Sequence, residues 1–242
     1  MSVLSNRMKK IHRHFCTAVV LAAGSSERMG EDKLNLPLGG KSVLAMSLAA
    51  FEKSETIDEI IVVTKPEKLQ EIAALRERYG FTKLTKAVIG GKTRTESALS
   101  GVCEADARAG VICIHDGARP LVTQEIIADA VHHAIIYLAA APAIPVKDTL
   151  KQANDGEVVA TPDRAGLFAV QTPQAFHADI IKGALTAAVA SGTAYTDDCA
   201  AVEAFGGKVH LSKGSEENLK ITTPLDMDIA NAILKRRMEA EQ

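Results

Sequence analysis

The chain lacks the features that mark membrane proteins and binders of nucleic-acid polymers. None of its apolar runs approaches the roughly 20 residues that a membrane-spanning helix needs. Its 28 Lys and Arg against 30 Asp and Glu leave a net charge of −2, which gives no electrostatic basis for attracting a nucleic-acid polymer or an acidic membrane surface. We therefore expect a soluble, cytoplasmic protein whose partners include no nucleic-acid polymer and no membrane.

Cysteine is scarce, and its spacing favours no metal site. The four cysteines form no CxxC pair and have no histidine at metal-ligand spacing, so we predict no zinc and no metal-ligating side chains. Cys16 and Cys113 lie in apolar, strand-like runs, where they are interpreted as small buried hydrophobic residues. This usage favours a reducing compartment.

The N-terminus, MSVLSNRMKKIHRHF, is basic but lacks the apolar core of a secretory signal. We interpret residues 1–16 as a flexible basic leader, with a truncated organelle-targeting segment as the alternative. Residues 17–242 have the length of a single large α/β domain.

Two common phosphate-binding patterns, the P-loop and GxGxxG, are also missing, which disfavours a P-loop ATPase and a Rossmann dehydrogenase. Instead, an apolar run leads into three small residues and two cations: Ala22, Ala23, Gly24, Arg28 and Lys33. Small residues at the end of a strand let backbone N–H groups close on an anion, and the cations add positive charge. The pattern predicts a triphosphate site; the alternative is an ordinary strand-to-helix turn.

Apolar strand candidates alternate with helix-period segments in the first half of the chain. We predict strands at 17–22, 59–64, 83–89 and 111–115 and helices at 42–53, 67–79, 93–107 and 124–137. Such alternation predicts βαβ units around a mostly parallel sheet, whose ligands bind beyond the carboxyl ends of the strands. The loops GSSER, GGKTRTES and DGARP follow three of these strands, so we expect them to meet at one edge.

The alternation breaks at about 145–166, where the turn signal Asn154-Asp155-Gly156 predicts a hairpin of two short strands. Because an isolated hairpin is marginally stable, we expect it to pack on the parent domain or on a second subunit. Beyond it we predict strands at 167–171 and 208–211 and helices at 178–190, 197–205 and 224–238.

Two loops have residues suited to a nucleotide. In GGKTRTES, the glycine pair that includes Gly91 admits a flat ring and Ser97 offers a hydroxyl, although the segment also fits a helix start capped by a threonine. In IHDGARP, Asp116 and Arg119 could face a ribose, a metal-bound water or a polar substrate. A buried Asp–Arg pair that braces the loop is the alternative.

Four more polar residues end apolar runs: Arg164, Thr172, Thr196 and Lys220. Each alone fits a solvated surface residue. Together they would form a second anion pocket, for a phosphate other than the nucleotide's. The histidines at 115, 132 and 133 are interpreted as packing or surface residues.

From about Ala18 to Leu234, the chain resembles the 2-C-methyl-D-erythritol 4-phosphate cytidylyltransferase family of the non-mevalonate isoprenoid pathway. The opening LAAGSSERMGEDK is shared with other nucleotidyltransferases, so the later segments carry the resemblance. These are GGKTRTESALSGV, HDGARPLV, PVKDTLK, DRAGLFAVQTPQAF, TDDCAAVEAFGGKVHL and ENLKITTPLD, in the family's order and spacing.

The resemblance implies a Rossmann-like nucleotidyltransferase fold, with a mostly parallel sheet flanked by helices. It implies a homodimer in which the hairpin protrudes as an arm that interlocks with the partner. The implied substrates are CTP and 2-C-methyl-D-erythritol 4-phosphate, and the implied cofactor is Mg2+, bound mainly through the CTP phosphates.

The resemblance also implies roles for individual residues. CTP would lie among Ala22, Ala23, Gly24, Gly91 and Ser97. Arg28 and Lys33 match residues that stabilise the transition state. Arg164, from the other subunit, and Lys220 match residues that position the methylerythritol phosphate. The residues that correspond to the substrate side are Asp116, Arg119, Thr172 and Thr196.

Three positions depart from the family pattern. Lys92 and Thr93 stand where acidic residues are common, and Leu34 replaces a more usual Gln. We still expect CTP to be preferred, because backbone groups do much of the base recognition in the family. The alternatives are transfer to another polyol phosphate, such as ribitol 5-phosphate, and a nucleotide-binding protein without turnover.

Overall fold

The structure is a computed structural model that describes residues 14–24 and 32–240. The strands in this part of the chain are β1 (Phe15–Leu21), β2 (Pro37–Leu38), β3 (Lys41–Ser42), β4 (Glu59–Thr64), β5 (Leu84–Ile89), β6 (Ala109–Asp116), β7 (Ala139–Pro145), β8 (Gln152–Asn154), β9 (Glu157–Ala160), β10 (Phe168–Val170), β11 (Gln174–His177) and β12 (His210–Lys213). The helices are α1 (Val43–Lys53), α2 (Leu69–Tyr79), α3 (Arg94–Cys103), α4 (Gln124–Tyr137), α5 (Ala178–Ala190), α6 (Asp198–Ala204) and α7 (Pro224–Ala240).

One mixed sheet organises the described residues, in the order β10-β7-β11-β6-β1-β4-β5, with β12 also paired to β7. Strands β6, β1, β4 and β5 are parallel. Strand β11 is antiparallel to both β6 and β7. The chain moves outward from β1 to β4 and β5, then returns to place β6 on the other side of β1. This reversal is the kind of position at which open α/β sheets bind ligands.

Apolar side chains fill both faces of the sheet, as the near-continuous apolar strands predict. On one face, Val20 and Val62 pack with Phe51 of α1 and Ile127 of α4. On the other face, the core contains residues of α3, α5 and α6 together with Val19. The two layers bury the parallel strands and leave their carboxyl ends open. None of the helices in the described residues is both long and apolar enough to cross a membrane.

Side-chain hydrogen bonds cap the N-terminal ends of α3 and α6. Thr93 accepts a hydrogen bond from the Glu96 amide, and the Glu96 carboxylate accepts one from the Thr93 amide, which forms a capping box at α3. Asp197 accepts from the Ala200 amide at the start of α6. These caps fix the first residues of α3 and α6, and both helix starts adjoin the cleft described below.

The hairpin around Asn154 is confirmed as strands β8 and β9, which form their own small sheet. Asp155 and Gly156 both have positive φ, as a two-residue primed turn requires. Every residue from 147 to 166 is exposed, including Val158 and Val159 at 58% and 59%. The hairpin, residues 145–166, is hereafter called the arm.

The sequence predicted most elements but missed four strands, namely the two-residue β2 and β3 and the longer β7 and β11. Helices α4 and α5 and strand β4 have their predicted bounds, and β12 lies two residues later than predicted. Strand β1 begins at Phe15, inside the predicted leader of residues 1–16, of which 1–13 lie outside the described residues. Strands β7 and β11 were missed because the alanine- and proline-containing run 139–145 and the short run 174–177 carry little β propensity.

Candidate active site

A cleft of about 480 Å³ opens at the carboxyl ends of the parallel strands. Its lining includes residues within a few positions after β1, β4 and β5 and residues at the end of β6, namely 22–24, Lys65, 91–94 and 116–118. Lys33, Leu34, Ser97 and Lys220 complete much of the wall. The expected meeting of three loops at one edge is therefore confirmed for their described residues, which include only Gly24 of GSSER, and the volume suits a small-molecule ligand.

Small residues bring the backbone of the first loop close to its neighbours. The Ala22 amide donates to the Val63 carbonyl at 2.7 Å, and the Gly117 amide donates to the Leu21 carbonyl at 2.9 Å. A Cβ on Gly117 would lie only 2.9 Å from the Leu21 carbonyl oxygen. Glycine is therefore needed at 117 to bring the β1 and β6 loops together.

The second loop serves both as the start of a helix and as part of the cleft wall. The Gly91 amide donates to the Ser97 hydroxyl at 3.1 Å, and that hydroxyl lies 2.9 Å from the Thr93 carbonyl. The Lys92 amide donates to the Glu96 carboxylate, so this carboxylate holds the loop and is occupied by backbone donors. The two interpretations of GGKTRTES, a capped helix start and a loop that lines a ligand site, are therefore compatible.

Positive charge dominates the cleft wall. Its charged side chains among the described residues are five cations and one carboxylate: Lys33, Lys65, Lys92, Arg94, Lys220 and Asp116. A site with this balance favours a ligand that carries several negative charges.

Asp116 is surrounded by cations on both of its oxygens. Its Oδ2 lies 2.9 Å from Lys220 Nζ and 3.8 Å from Arg119 Nε, and its Oδ1 lies 3.8 Å from Arg94 Nη2. Burial alone would raise its pKa, but the charges of Lys220 and Arg94 lower the pKa to about 2. Asp116 is therefore ionised at neutral pH.

Behind this carboxylate, Thr172 and His115 brace the wall. The Asp116 amide donates to Thr172 Oγ1 at 3.1 Å, and the same oxygen lies 3.0 Å from His115 Nδ1. Thr172 is only 4% exposed and His115 is fully buried. Burial lowers the pKa of His115 to about 4, so the ring is neutral at pH 7. His115 thus packs beside the sheet, as predicted.

The loop that carries Lys220 is held by buried amides. Gln171 Nε2 donates to the Ser215 carbonyl at 2.7 Å, and Asn218 Nδ2 donates to the Thr172 carbonyl at 2.9 Å. Arg119 Nη1 donates to the Asn218 carbonyl at 2.7 Å. Arg119 is 13% exposed, so it binds the loop from within the wall and braces it, as the structural alternative for IHDGARP proposed.

The structure brings together most of the predicted site residues. Eight of them line the cleft: Ala22, Ala23, Gly24, Lys33, Gly91, Ser97, Asp116 and Lys220. Arg119 and Thr172 stand behind the wall. Arg28 lies outside the described residues.

Two predicted residues lie elsewhere in the single chain. Thr196 is exposed just before the cap of α6 and is not part of the cleft lining. Arg164 is exposed on the arm, where its Nη1 donates to the Lys147 carbonyl at 2.8 Å. Neither position supports a contact with the cleft of its own chain, and their assigned roles stay predictions.

Sequence reasoning missed two cations of the wall, Lys65 and Arg94. Lys65 directly follows the apolar run of β4, so the rule on strand ends could have found it. Arg94 lies inside GGKTRTES, a segment that was interpreted through its glycines, its serine and a threonine cap, so the arginine was not considered. Its guanidinium is paired with Asp198, 2.7 Å away on α6 and 104 positions along the chain, and sequence spacing does not reveal such a pair.

Sequence comparisons agree with this geometry. The model of the 2-C-methyl-D-erythritol 4-phosphate cytidylyltransferase family matches residues 16–236. The protein of that name from Caldanaerobacter subterraneus subsp. tengcongensis is 44% identical over 224 residues, covering 91% of this chain and 99% of the relative. The one from Geotalea uraniireducens is 43% identical over 227 residues, covering 90% and 96%.

Solved structures support the same relationship. The crystal structure of a 4-diphosphocytidyl-2C-methyl-D-erythritol synthase from Anaerococcus prevotii superimposes with a TM-score of 0.82 at 32% identity, covering 91% of this chain and 98% of that one. A Thermus thermophilus 2-C-methyl-D-erythritol 4-phosphate cytidylyltransferase has a TM-score of 0.71 at 29% identity, covering 90% and 98%. The predicted α/β nucleotidyltransferase fold is confirmed. The chain therefore belongs to the 2-C-methyl-D-erythritol 4-phosphate cytidylyltransferase family of nucleotidyltransferase enzymes.

Proposed function

We propose that this enzyme transfers a cytidylyl group from CTP to 2-C-methyl-D-erythritol 4-phosphate and releases pyrophosphate. The observation that carries the proposal is the charge of the cleft: five cations around one carboxylate in the described residues, at the carboxyl ends of a parallel sheet. Such a wall suits two phosphate-bearing ligands that must be brought together. The names of the matched relatives supply the identity of the two ligands.

The reaction proposed is a direct displacement. A phosphate oxygen of the acceptor forms a bond to the α-phosphorus of CTP, and the bond from that phosphorus to the bridging oxygen of pyrophosphate breaks. A phosphate monoester is already an anion at neutral pH, so no general base is required. Lys33 in the wall and Arg28 would offset the charge that builds on the α-phosphoryl oxygens.

The acceptor is proposed to lie on the Asp116 side of the cleft. Lys220 reaches this position from a loop held by Gln171 and Asn218, so its ammonium group is placed before a ligand arrives. An acceptor phosphate would compete with Asp116 for Lys220. Asp116 would then be available to the acceptor's hydroxyl groups, with Arg119 behind it.

Magnesium is the proposed cofactor, and the cleft suits an ion held mainly by the nucleotide. In the described part of the chain, no group of three His, Cys, Asp or Glu side chains is placed to hold a metal. Asp116 is the carboxylate of the described cleft wall, and its two oxygens face Lys220, Arg119 and Arg94, so the CTP phosphates would supply most of the ligands to such an ion. When bound, Mg2+ would neutralise part of the phosphate charge.

The arm is proposed to complete the site of a second subunit in a homodimer. Its exposed apolar residues include Leu150, Val158 and Val159, and no other described part of the chain covers them. Covering such residues with a partner would remove apolar area from water. Arg164, at the base of the arm, would then reach the partner's acceptor phosphate.

Pyrophosphate release tests the proposed reaction. The enzyme would be supplied with CTP and Mg2+, and with 2-C-methyl-D-erythritol 4-phosphate, ribitol 5-phosphate or no acceptor. Release with the methylerythritol substrate alone is the expected result. Preference for ribitol 5-phosphate would keep the reaction and contradict the acceptor. Binding of CTP without release under any condition would support a nucleotide-binding protein without turnover.

A further inference from the structure

Arg94 occupies an unusual place for a cation. It is the first residue of α3, and the N-terminal end of a helix carries a partial positive charge that disfavours Arg. Its side chain is 26% exposed and contributes to the cleft wall. Helix stability therefore gives no reason for Arg94, and its contacts must be considered.

Those contacts are two carboxylates from distant parts of the chain. Arg94 Nη2 donates to Asp198 Oδ2 at 2.7 Å and lies 3.8 Å from Asp116 Oδ1. Burial alone would lower the pKa of Arg94, but the charge of Asp198, followed by that of Asp116, raises it. The guanidinium thus joins α3, which carries Ser97, to the end of β6 and to α6.

Asp198 is a costly residue to place where it is. It is 1% exposed, and its Oδ1 accepts no hydrogen bond from any described residue. A buried ion pair of this kind adds little stability compared with apolar residues of similar size, yet it can fix an orientation. The position of Asp198 suits a role in holding the Arg94 guanidinium at one place in the cleft wall.

The two oxygens of Asp116 face different cations. Oδ2 faces Lys220 and Arg119, whereas Oδ1 faces Arg94. In the proposed function, on which this inference rests, the acceptor phosphate draws Lys220 away from Asp116. Arg119 would then remain at Oδ2, and Arg94 would hold Oδ1 in position.

We propose that Arg94 is a positioning residue, fixed by the buried Asp198, that holds Asp116 ready for the acceptor. Arg94 acts through Asp116, so its loss affects acceptor use more than nucleotide use. We expect Arg94→Gln to raise the KM for 2-C-methyl-D-erythritol 4-phosphate at least tenfold and the KM for CTP less than threefold. Arg94→Lys retains the charge at a single point and is expected to give an intermediate value.

A double variant separates positioning from folding. Arg94→Gln alone leaves a buried carboxylate unpaired, so its Tm should fall. Arg94→Gln combined with Asp198→Asn removes both charges and leaves two amides that can hydrogen-bond. We expect the double variant to recover Tm but not the acceptor KM. Recovery of both would contradict the proposal and show that the pair is only structural.

Arg108→Gln is the matched control. Arg108 pairs with Asp106 at 2.8 Å at the opposite end of β6 and is 71% exposed, so both KM values should stay at the wild-type level. Unchanged KM values in Arg94→Gln, or an equal rise in both KM values, would overturn the inference. If the wild type is active in the same assay, the proposed function still stands. A wild type without turnover and without acceptor binding in calorimetry would overturn both.

Discussion

The cleft and the arm come from the same chain but differ in nearly every physical respect. The cleft is built from strand ends that a two-sided core holds in place, and two of its cations, Arg94 and Lys220, are paired with carboxylates from distant segments. The arm is exposed along its length, its two strands pair only with each other among the described residues, and it presents apolar side chains to water.

This difference indicates which region is complete in a single chain. Parallel strands covered on both faces fix the positions of their ends, so the described wall of the cleft is held within a single chain. A two-stranded hairpin is marginally stable alone, and its exposed apolar surface calls for a partner. Substitutions in the two regions should therefore have different readouts.

The largest expected effect is at Lys33, in the cleft wall. Lys33→Ala should lower kcat by about 10² to 10³, because a preorganised cation at a developing charge contributes roughly 3–4 kcal/mol. CTP affinity should change much less. Steady-state kinetics and calorimetry with CTP give the two values. Lys53→Ala, in the last turn of α1, is the control, and an unchanged kcat in Lys33→Ala would remove Lys33 from the mechanism.

The next largest effect is the pH dependence of the free energy of unfolding, which arises from His115 behind the cleft wall. The pKa of His115 is about 4 in the folded chain and 6.5 ordinarily, so the unfolded state binds more protons between these values. Stability should therefore fall by roughly 3 kcal/mol as pH decreases from 6.5 to 4. Asp116 adds its own loss only below about pH 4.

Urea unfolding at several pH values tests this dependence. His115→Gln should flatten the curve between pH 6.5 and 4, whatever its effect at pH 7. Ile136→Ala, at an exposed position of α4 and without a titratable group, should leave the slope unchanged. A wild-type slope in His115→Gln would show that another group titrates.

A glycine pair compares the two regions directly. A Cβ on Gly91 would meet the Cβ and carboxylate of Glu96 far inside contact distance, whereas one on Gly166 in the arm meets nothing within 4 Å. Gly91→Ala should destabilise the fold by about 1–3 kcal/mol, since overpacking forces neighbours to move. Gly166→Ala should be nearly neutral. Equal Tm values for the two variants would contradict the crowding assigned to the start of α3.

The smallest expected effect is at the arm, and it should affect assembly only. Val158→Ala with Val159→Ala should weaken the proposed dimer by about 1–2 kcal/mol through lost apolar burial, with little change in the Tm of the monomer. Analytical ultracentrifugation measures the association. Leu225→Ala, exposed on α7, is the control. A lower Tm without a change in association would place the arm against its own chain.

Sequence reasoning located the cleft because the rule for parallel sheets needs only strand ends. Apolar runs placed β1, β4, β5 and β6, and the loops that follow them had to meet. It could not find the Arg94–Asp198 pair, which spans 104 positions and depends on how α6 packs. It also could not decide that Thr172 and Arg119 lie behind Asp116, because burial depends on β11 and on the Lys220 loop.

Mixing of two inactive variants tests the central contrast most directly. Lys33→Ala disables the cleft of its own chain, and Arg164→Ala disables the arm. If each arm completes the partner's site, a mixed dimer contains one intact site, and activity should appear after subunit exchange. No activity, despite exchange proven by mass-tagged subunits, would show that Arg164 acts within its own chain and would contradict the shared site.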